Sequence, residues 1–275
     1  MADYNRFYLA LFRAWHYLCH RLTAWNTGGE GIHSPYLFRW VRFCMYDPHA
    51  YYAFSAIEKQ RERLLQDKNV VTLTDYGTGA SRSPQRRVCD IAATSLQKPR
   101  YARLLFRLVQ FLTSEQSEVD RHPLQIVELG TSLGITTAYL AAPHSKNCVL
   151  TWEGSQALIE HAQIVWHQLH LNNIHPIHGN IDQTLPDSLP DTIDLAYIDA
   201  NHRYDAVMHY FQTLLPHTAR KTVLVMDDIH YSPDMLRAWH EICLHPQVTT
   251  TMDLFDLGLV FFDPDYLKRN YRLRY

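Results

Sequence analysis

Two neighbouring segments carry the residues that could do chemistry. In DLAYIDANHRYD an apolar run ends at Asp199, and His202 follows three residues later. In TVLVMDDIH a second apolar run ends in Asp227 and Asp228. Carboxylates gathered at one edge of a sheet repel one another where water is partly excluded, and a divalent cation relieves that repulsion. Oxygen ligands favour Mg²⁺, so the sequence predicts a magnesium site here, with Mn²⁺ or Ca²⁺ as alternatives.

His202 is the first candidate for a general base. An imidazole has a pKa near neutrality, so it can take the proton of a hydroxyl that a metal ion has polarised. His230, just after the aspartate pair, is a second candidate. Structural explanations stay open at this point. His202 could only orient a substrate or Asp199, Asp199 could cap the next helix, and Asp227 and Asp228 could form a solvated turn.

These side chains need a parallel sheet to position them. From about residue 100 onward, apolar segments typical of strands alternate with helical patterns, which indicates β-α-β units and a sheet covered on both faces. We therefore predict an α/β fold: a Rossmann-like sheet of five parallel strands plus a C-terminal antiparallel hairpin, flanked by helices. The predicted parallel strands cover residues 125–129, 148–153, 174–179, 194–199 and 222–227, and the hairpin covers 248–255 and 257–263.

Two glycine-containing loops compete for a cofactor, because open α/β sheets bind ligands at the carboxyl ends of their strands. The first, LTDYGTGAS at 73–81, contains Asp75, Gly77 and Gly79. A polar, proline-broken stretch follows it, so we interpret it as a structural or substrate-side loop. The second, IVELGTSLGITTAYLA at 126–141, leads directly from a strand into a helix.

The second loop combines its glycines with an acid at the end of the next strand. Gly130 and Gly134 let the backbone approach a ligand closely. Thr131 and Ser132 lie at a helix N-terminus, which suits a carboxylate. Glu153 ends the next strand, where a carboxylate can accept both hydroxyls of a ribose. The alternative is that Glu153 is a solvated acid at a strand end.

The motifs together resemble a known family. The ELGTSLG turn, the WEG strand end, the GNID segment at 179–182 and the IDANH segment resemble class I S-adenosylmethionine (SAM)-dependent methyltransferases, and look closest to the O-methyltransferase branch related to catechol and macrolide-sugar methyltransferases. The stretch GIHSPYLF also resembles the N-terminal part of uncharacterised bacterial proteins of this kind. The resemblance covers roughly residues 100–275 and implies SAM as the cofactor. A dinucleotide dehydrogenase would want a GxGxxG turn, and this chain has GTSLG.

The resemblance also implies roles for particular residues. Asp199, Asp227 and Asp228 would bind the Mg²⁺ ion, and His202 would act as the base, as a histidine at this spacing does in the macrolide-sugar relatives. Asp199 would belong both to the catalytic group and to the cofactor side. The implied cofactor contacts are Glu128, Gly130 and Gly134 around the methionine part, with Thr131 and Ser132 in the same turn, Glu153 with Gly154 at the ribose, and Asn180, Ile181 and Asp182 near adenine.

Composition narrows the function further. The formal net charge is −2, so no overall positive field draws the chain to nucleic acid. The five cysteines include no CxxC pair, which argues against a disulfide framework and a zinc ribbon and favours free thiols. The N-terminus lacks a signal-peptide pattern, so we predict a cytoplasmic protein without stable membrane insertion.

The predicted function is divalent-metal-assisted O-methylation of a small-molecule hydroxyl. Three alternatives are a metal-independent methyltransferase, a nucleic-acid methyltransferase and a non-catalytic cofactor-binding module.

Residues 1–70 differ in composition from the predicted methyltransferase domain at 71–275. They are rich in aromatic residues, and their apolar positions recur at helical spacing. Ser34 is a predicted helix cap with Pro35 in the first turn. We predict a helical appendage that serves as a lid or as a homodimerisation element. A helix lying on a membrane surface is a further alternative.

Overall fold

The computed structural model describes residues 5–74, 84–119 and 121–275. They fall into two compact units. The first unit combines the chain up to Tyr46 with Asp194–Tyr275, and the second unit is Asp47–Ile193. The predicted division at residue 70 stays a prediction. The first glycine loop, with Asp75, Gly77 and Gly79, lies outside the described residues.

The second unit contains three parallel strands and the helices that follow them. β3 pairs in parallel with β4, and β4 pairs in parallel with β5. A short antiparallel pair, β1 with β2, precedes them. The strands are β1 Val70–Thr72, β2 Gln85–Arg87, β3 Gln125–Leu129, β4 Cys148–Glu153 and β5 Ile174–His178, and the helices are α3 Tyr52–Gln66, α4 Val88–Ser95, α5 Pro99–Ser114, α6 Ile135–Ala141, α7 Gln156–Gln168 and α8 Ile181–Ser188.

The core of the second unit surrounds α6. Every residue of this helix is buried, as expected for the sequence ITTAYLA, which has no charged side chain. Phe54 from α3, Phe106 from α5 and Trp166 from α7 belong to the same apolar cluster as Tyr139. The hydroxyl of Tyr139 donates a 2.6 Å hydrogen bond to Glu58, which gives the one polar end of that ring a partner. This packing holds α6 and the turn before it in place.

The first unit joins two N-terminal helices to the C-terminal strands. Its strand order is β6, β7, β9, β8, β10. β9 is antiparallel to both β7 and β8, and β10 is parallel to β8. The strands are β6 Ile193–Ile198, β7 Thr218–Asp227, β8 Thr250–Asp253, β9 Leu257–Phe261 and β10 Arg269–Arg272, and the helices are α1 Arg6–Thr23, α2 Pro35–Trp40, α9 Tyr204–Leu214 and α10 Pro233–Leu244, with a π-helical turn at Val41–Met45.

The predicted α/β fold with an antiparallel C-terminal hairpin is confirmed. β3 and β4 have the predicted bounds, and β8 and β9 form the predicted hairpin. Ser34 caps α2 as predicted, since its side chain accepts from the backbone N–H of Leu37. Strand β10 was not predicted. Its sequence RNYR buries only Tyr271, so it lacks the alternating apolar pattern that identifies a strand.

A buried carboxylate ties α1 to the C-terminal strands of the first unit. Asp253 at the end of β8 lies 3.3 Å from His20 Nε2 and 2.9 Å from His230 Nε2. Burial alone would raise the pKa of Asp253, but hydrogen bonds from His20 and His230 hold it far below its ordinary value. The ring of Phe255 stacks on His230 and shields the group from water.

The substitution Asp253→Asn should destabilise the protein by about 3 kcal/mol near neutral pH, because it leaves two buried histidines without their carboxylate partner. The folded-state pKa of Asp253 is below the ordinary value of 3.8. The carboxylate therefore stabilises the fold fully above about pH 4, and this contribution is lost as the pH falls through the folded-state pKa. Urea unfolding of wild type and variant at neutral and at acidic pH measures both effects.

Asp265→Asn is the matched control for this substitution. Asp265 is 73% exposed and pairs with the half-exposed Arg220, so its loss should cost less than about 1 kcal/mol. Equal losses in the two variants would contradict the role given to Asp253.

Candidate functional site

The turn between β3 and α6 has the shape expected of a ligand-binding glycine turn. Gly130 has φ 101° and Gly134 has φ 75°, and Ser132 between them also lies in the left-handed region at 48°. The backbone N–H groups of Gly130 and Thr131 both donate to the carbonyl of Trp152 on β4, at 3.1 Å. Only glycine adopts the conformation of Gly130 without strain. The predicted loop is therefore a real turn, fastened to the neighbouring strand.

Glu153 completes this turn from the end of β4. Its Oε2 accepts the N–H of Ser132 at 2.9 Å, and its Oε1 accepts the N–H of Ser155 at 3.0 Å. Two backbone donors orient the carboxylate, so little side-chain entropy remains to be lost when a ligand arrives. Each oxygen of a carboxylate can accept more than one hydrogen bond, which is what the two hydroxyls of a ribose require. The predicted pairing of glycine turn and strand-end acid is present.

The predicted adenine-side residues follow the next strand. The N–H of Gly179 donates to the carbonyl of Glu153 at 3.1 Å, and His178 Nε2 lies 3.1 Å from the carbonyl of Gly154. Asn180 caps α8, because its Oδ1 accepts the N–H of Asp182. The segment 179–182, including Ile181 at the first position of α8, therefore starts next to the end of β4. Sequence reasoning did not single out His178.

Two predicted cofactor residues, Glu128 and Gly134, also have structural roles. Glu128 is fully buried, and its carboxylate accepts hydroxyl hydrogen bonds from Thr137 and Thr151, which link α6 and β4 to β3. A Cβ on Gly134 would lie 2.6 Å from Ala162 and 2.7 Å from the Trp166 ring, whose N–H donates to the Gly134 carbonyl. The close approach that requires glycine at 134 is thus between α6 and α7. Cofactor roles for both residues stay predictions.

A second cluster lies at the ends of β6 and β7 in the first unit. Asp199 follows β6, and its Oδ1 lies 3.3 Å from His202 Nε2, while Tyr197 donates to its other oxygen. Burial lowers the pKa of His202, but the neighbouring Asp199 carboxylate and the charge of Asp228 raise it above its ordinary value overall. The structure therefore brings Asp199, His202 and Asp228 close enough to interact, as predicted.

Arg13 on α1 is the residue that the sequence did not predict for this cluster. Its guanidinium Nη2 lies 3.7 Å from Asp228 Oδ1 and 3.5 Å from Asp256 Oδ1. The same guanidinium lies over the ring of Tyr231, 5.2 Å from the ring centre. Burial raises the pKa of Asp228, and the charges of His202 and Arg13 oppose that rise. The only sequence signal is a lone arginine that interrupts the apolar run of α1.

The predicted metal ligands do not assemble in the arrangement that a divalent cation needs. Among the described residues, no three histidine, cysteine or acidic side chains are placed to hold a metal ion together. Asp228 has Arg13 as a cationic neighbour and Asp199 has His202. Asp227 is buried within β7, opposite Leu257 of β9. The assignment of these three aspartates as ligands stays a prediction, and the described geometry does not support it.

A cavity of about 560 Å³ also lies within the first unit, but none of the predicted site residues lines it. Its walls include His33, Arg39, Lys221 and Tyr266.

Comparison with known proteins finds a methyltransferase domain in the middle of the chain. A family model described as a methyltransferase domain matches residues 127–229, which run from β3 past the end of β7. The matched segment contains the glycine turn, Glu153, Asp199 and His202. No curated protein sequence matches the chain.

Solved methyltransferase structures are similar over most of the chain. The methyltransferase PaMTH1 of Podospora anserina, bound to S-adenosylhomocysteine (SAH), has a TM-score of 0.56 at 14% identity, over 84% of this chain and 97% of that one. TomG of Streptomyces achromogenes, an O-methyltransferase of tomaymycin synthesis in complex with SAM, has a TM-score of 0.53 at 16% identity, over 82% of this chain and 97% of that one. The O-methyltransferase of Bacillus cereus, in complex with SAH, has a TM-score of 0.52 at 17% identity, over 81% of this chain and 96% of that one.

These comparisons confirm the resemblance to class I SAM-dependent methyltransferases. At such identities the solved structures show the fold alone, which is a methyltransferase-like α/β fold. The narrower branch suggested by the sequence, and the group that shares GIHSP, stay predictions.

Proposed function

We propose that the protein is a SAM-dependent methyltransferase that methylates a hydroxyl group of a small molecule. The observation that carries the proposal is the double hydrogen bond that holds Glu153 to the glycine turn, within a segment that matches a methyltransferase domain. The solved relatives named as O-methyltransferases support oxygen as the acceptor atom. A net charge of −2 favours a small molecule over a nucleic acid.

The donor side of the reaction rests on the glycine turn and Glu153. SAM, when bound, supplies a methyl group on a positively charged sulfur. Glu153 would accept the ribose hydroxyls, with its orientation already set by the N–H groups of Ser132 and Ser155. The segment that begins at Asn180 would lie along the adenine. Because the turn at Gly130 is fastened to β4, the donor would be held in one pose, which an in-line displacement requires.

The acceptor side rests on His202 and Asp199. A neutral hydroxyl is a weak nucleophile, and its oxygen gains reactivity as a base removes the proton. His202 would take that proton while the new oxygen–carbon bond forms and the carbon–sulfur bond breaks. Asp199, 3.3 Å away, would orient the imidazole and stabilise its protonated form. His230 is a poorer candidate base, since its Nε2 already contacts the buried Asp253.

Two forms of the reaction differ in their need for a cation. The sequence predicts Mg²⁺ bound by Asp199, Asp227 and Asp228. The described geometry instead favours a form without the ion, because Arg13 already provides positive charge next to Asp228. In that form the carboxylates orient the base and the substrate.

Chelation and substitution of Arg13 separate these forms. We expect EDTA to leave the methylation rate unchanged, and Arg13→Gln to lower it about tenfold, the effect of roughly 1.4 kcal/mol, because Asp228 loses its counter-charge. Arg21→Gln, on the exposed side of the same helix, is the control and should leave the rate unchanged. Loss of activity on chelation, with recovery in Mg²⁺, would instead support the predicted metal site.

The proposed function is tested by binding and by transfer. Titration calorimetry with SAM and SAH measures occupancy of the donor site. Methyl transfer from labelled SAM to a panel of phenols, sugars, amines and RNA then identifies the acceptor class. Transfer to hydroxyl compounds alone is the expected result. Transfer to RNA would support the nucleic-acid alternative, and binding without transfer to any acceptor would support a non-catalytic cofactor-binding module.

A further inference from the structure

Helix α1 is inverted relative to an ordinary surface helix. The side facing the rest of the first unit carries its polar contacts: Arg13 reaches Asp228, and His20 reaches Asp253. A helix on the surface of a globular protein normally places such residues in solvent and buries its apolar stripe. Here Leu9 and Phe12 are half-buried, but most of the large apolar residues lie on the opposite side.

The outward side is a continuous apolar stripe, which we call the outer face of α1. Its five helical residues follow one another at spacings of four, four, three and four, so they line one side of the helix, and Trp25 lies just beyond the helix end. Trp15, at its centre, is 64% exposed. The outer face consists of Phe7, Leu11, Trp15, Leu18, Leu22 and Trp25, all of them more than half exposed.

The size of the outer face matches a protein interface. Large side chains of this kind each present on the order of 200 Å² when fully exposed. At the observed exposures, the six together present on the order of 800 Å² to solvent, which is about what one partner contributes to a standard interface. Exposed apolar patches of this size are uncommon on soluble monomers.

The charges beside the outer face favour a second copy of the chain over a lipid surface. Arg6 and Arg21 are the exposed charged residues of α1, the exposed Arg272 of β10 donates to Thr23 at the end of this helix, and the whole chain has a net charge of −2. Attachment to anionic lipid takes a cluster of several basic residues, each adding about 1 kcal/mol. In addition, no helix in the described part of the chain is long and apolar enough to cross a membrane. The spacing of three and four, by contrast, is the pattern of helix-to-helix packing.

We propose that the outer face of α1 packs against the same face of a second copy, so that the protein is a two-fold symmetric dimer. Such an interface is self-complementary, and the helix spacing provides it. The inner side of α1 carries Arg13 to Asp228, so the dimer contact would also hold Arg13 against the candidate site of each subunit. The dimer itself does not depend on the proposed function.

A pair of matched leucine substitutions tests the proposal. Leu22→Glu introduces a charge at an outer-face position that is 74% exposed, and Leu244→Glu makes the same change on α10 at a position that is 76% exposed. Size-exclusion chromatography with light scattering should give a dimer for wild type and for Leu244→Glu. It should give a monomer for Leu22→Glu, because the charge would be buried in the apolar contact. The Kd of the dimer should rise at least about 100-fold.

Controls keep the result interpretable. Circular dichroism and thermal unfolding should show the monomeric variant folded, since Leu22 makes little contact within its own chain. Leu11→Glu, next to Trp15 on the outer face, should also give a monomer. This second variant shows that the result does not come from a local effect at Leu22.

Other outcomes overturn the proposal. A monomeric wild type at about 50 μM, well above the Kd of a specific dimer, would exclude the dimer. Equal dissociation in Leu22→Glu and Leu244→Glu would place the interface elsewhere. A monomeric wild type that co-sediments with vesicles of phosphatidylglycerol but not with vesicles of phosphatidylcholine would assign the outer face to a membrane surface instead.

Discussion

Replacing Glu153 with alanine should weaken the binding of SAM and SAH by at least about 100-fold, because two hydrogen bonds to the ribose are lost. Hydrogen bonds to a charged acceptor each stabilise a complex by about 1.5–3 kcal/mol, and every 1.4 kcal/mol is a factor of ten. The loss should be large because the carboxylate is already oriented by the N–H groups of Ser132 and Ser155 and adds little ordering cost on binding. Titration calorimetry with SAH measures it without any acceptor.

A conservative variant separates binding from folding in this experiment. Glu153→Gln keeps one oxygen that can accept a backbone N–H, so it should preserve the turn better than alanine while still losing the charge. Glu160→Ala, on the exposed side of α7, is the control and should bind SAH as wild type does. If Glu153→Ala bound SAH with wild-type affinity, the ribose assignment would be wrong, whatever the turnover.

The second large effect concerns His202. Substitution to alanine should lower the rate of methyl transfer by about 10²- to 10⁴-fold, the range typical for loss of a general base, and should leave SAH binding unchanged. The drop should be greatest with unactivated alcohols, whose protons are hardest to remove. Single-turnover transfer from labelled SAM to an acceptor found in the panel measures the chemical step directly.

Asp199→Asn supplies the companion measurement. If Asp199 orients His202 and stabilises its charged form, Asp199→Asn should lower the rate of methyl transfer, but less than His202→Ala does. The double variant should be no slower than His202→Ala alone. His209→Ala, an exposed histidine on the following helix, should behave as wild type. A His202→Ala protein with undiminished transfer would remove the base from the proposed mechanism.

Much of the fold could be predicted from local pattern. Strands β3 and β4 are short, apolar and bounded by polar breaks, and their predicted ends are the observed ones. Strand β7 starts four residues earlier than predicted, at Thr218, because the extra residues TARK are largely exposed and polar. Local pattern reports burial, and it fails where a strand is paired by its backbone but exposed at its side chains, as in β10.

The glycine turn illustrates a partial success of another kind. The spacing of Gly130, Gly134 and Glu153 predicted a turn and an acid side by side, and the structure joins them through Ser132. The reason offered for Gly134 was incomplete. The helix α7 approaches so closely that any side chain at 134 would meet Ala162, a contact between residues far apart in sequence.

The sequence by itself determined the alternation of strands and helices from β3 to β9, the turn at Gly130 and the strand-end positions of Glu153, Asp199 and Asp228. These follow from short-range rules of burial and backbone conformation. Only the tertiary structure decided which charges meet. It placed Arg13, more than 200 residues away along the chain, beside Asp228, and it turned the apolar side of α1 outward. Such pairings depend on how distant elements pack, and neither hydrophobic period nor residue spacing encodes them.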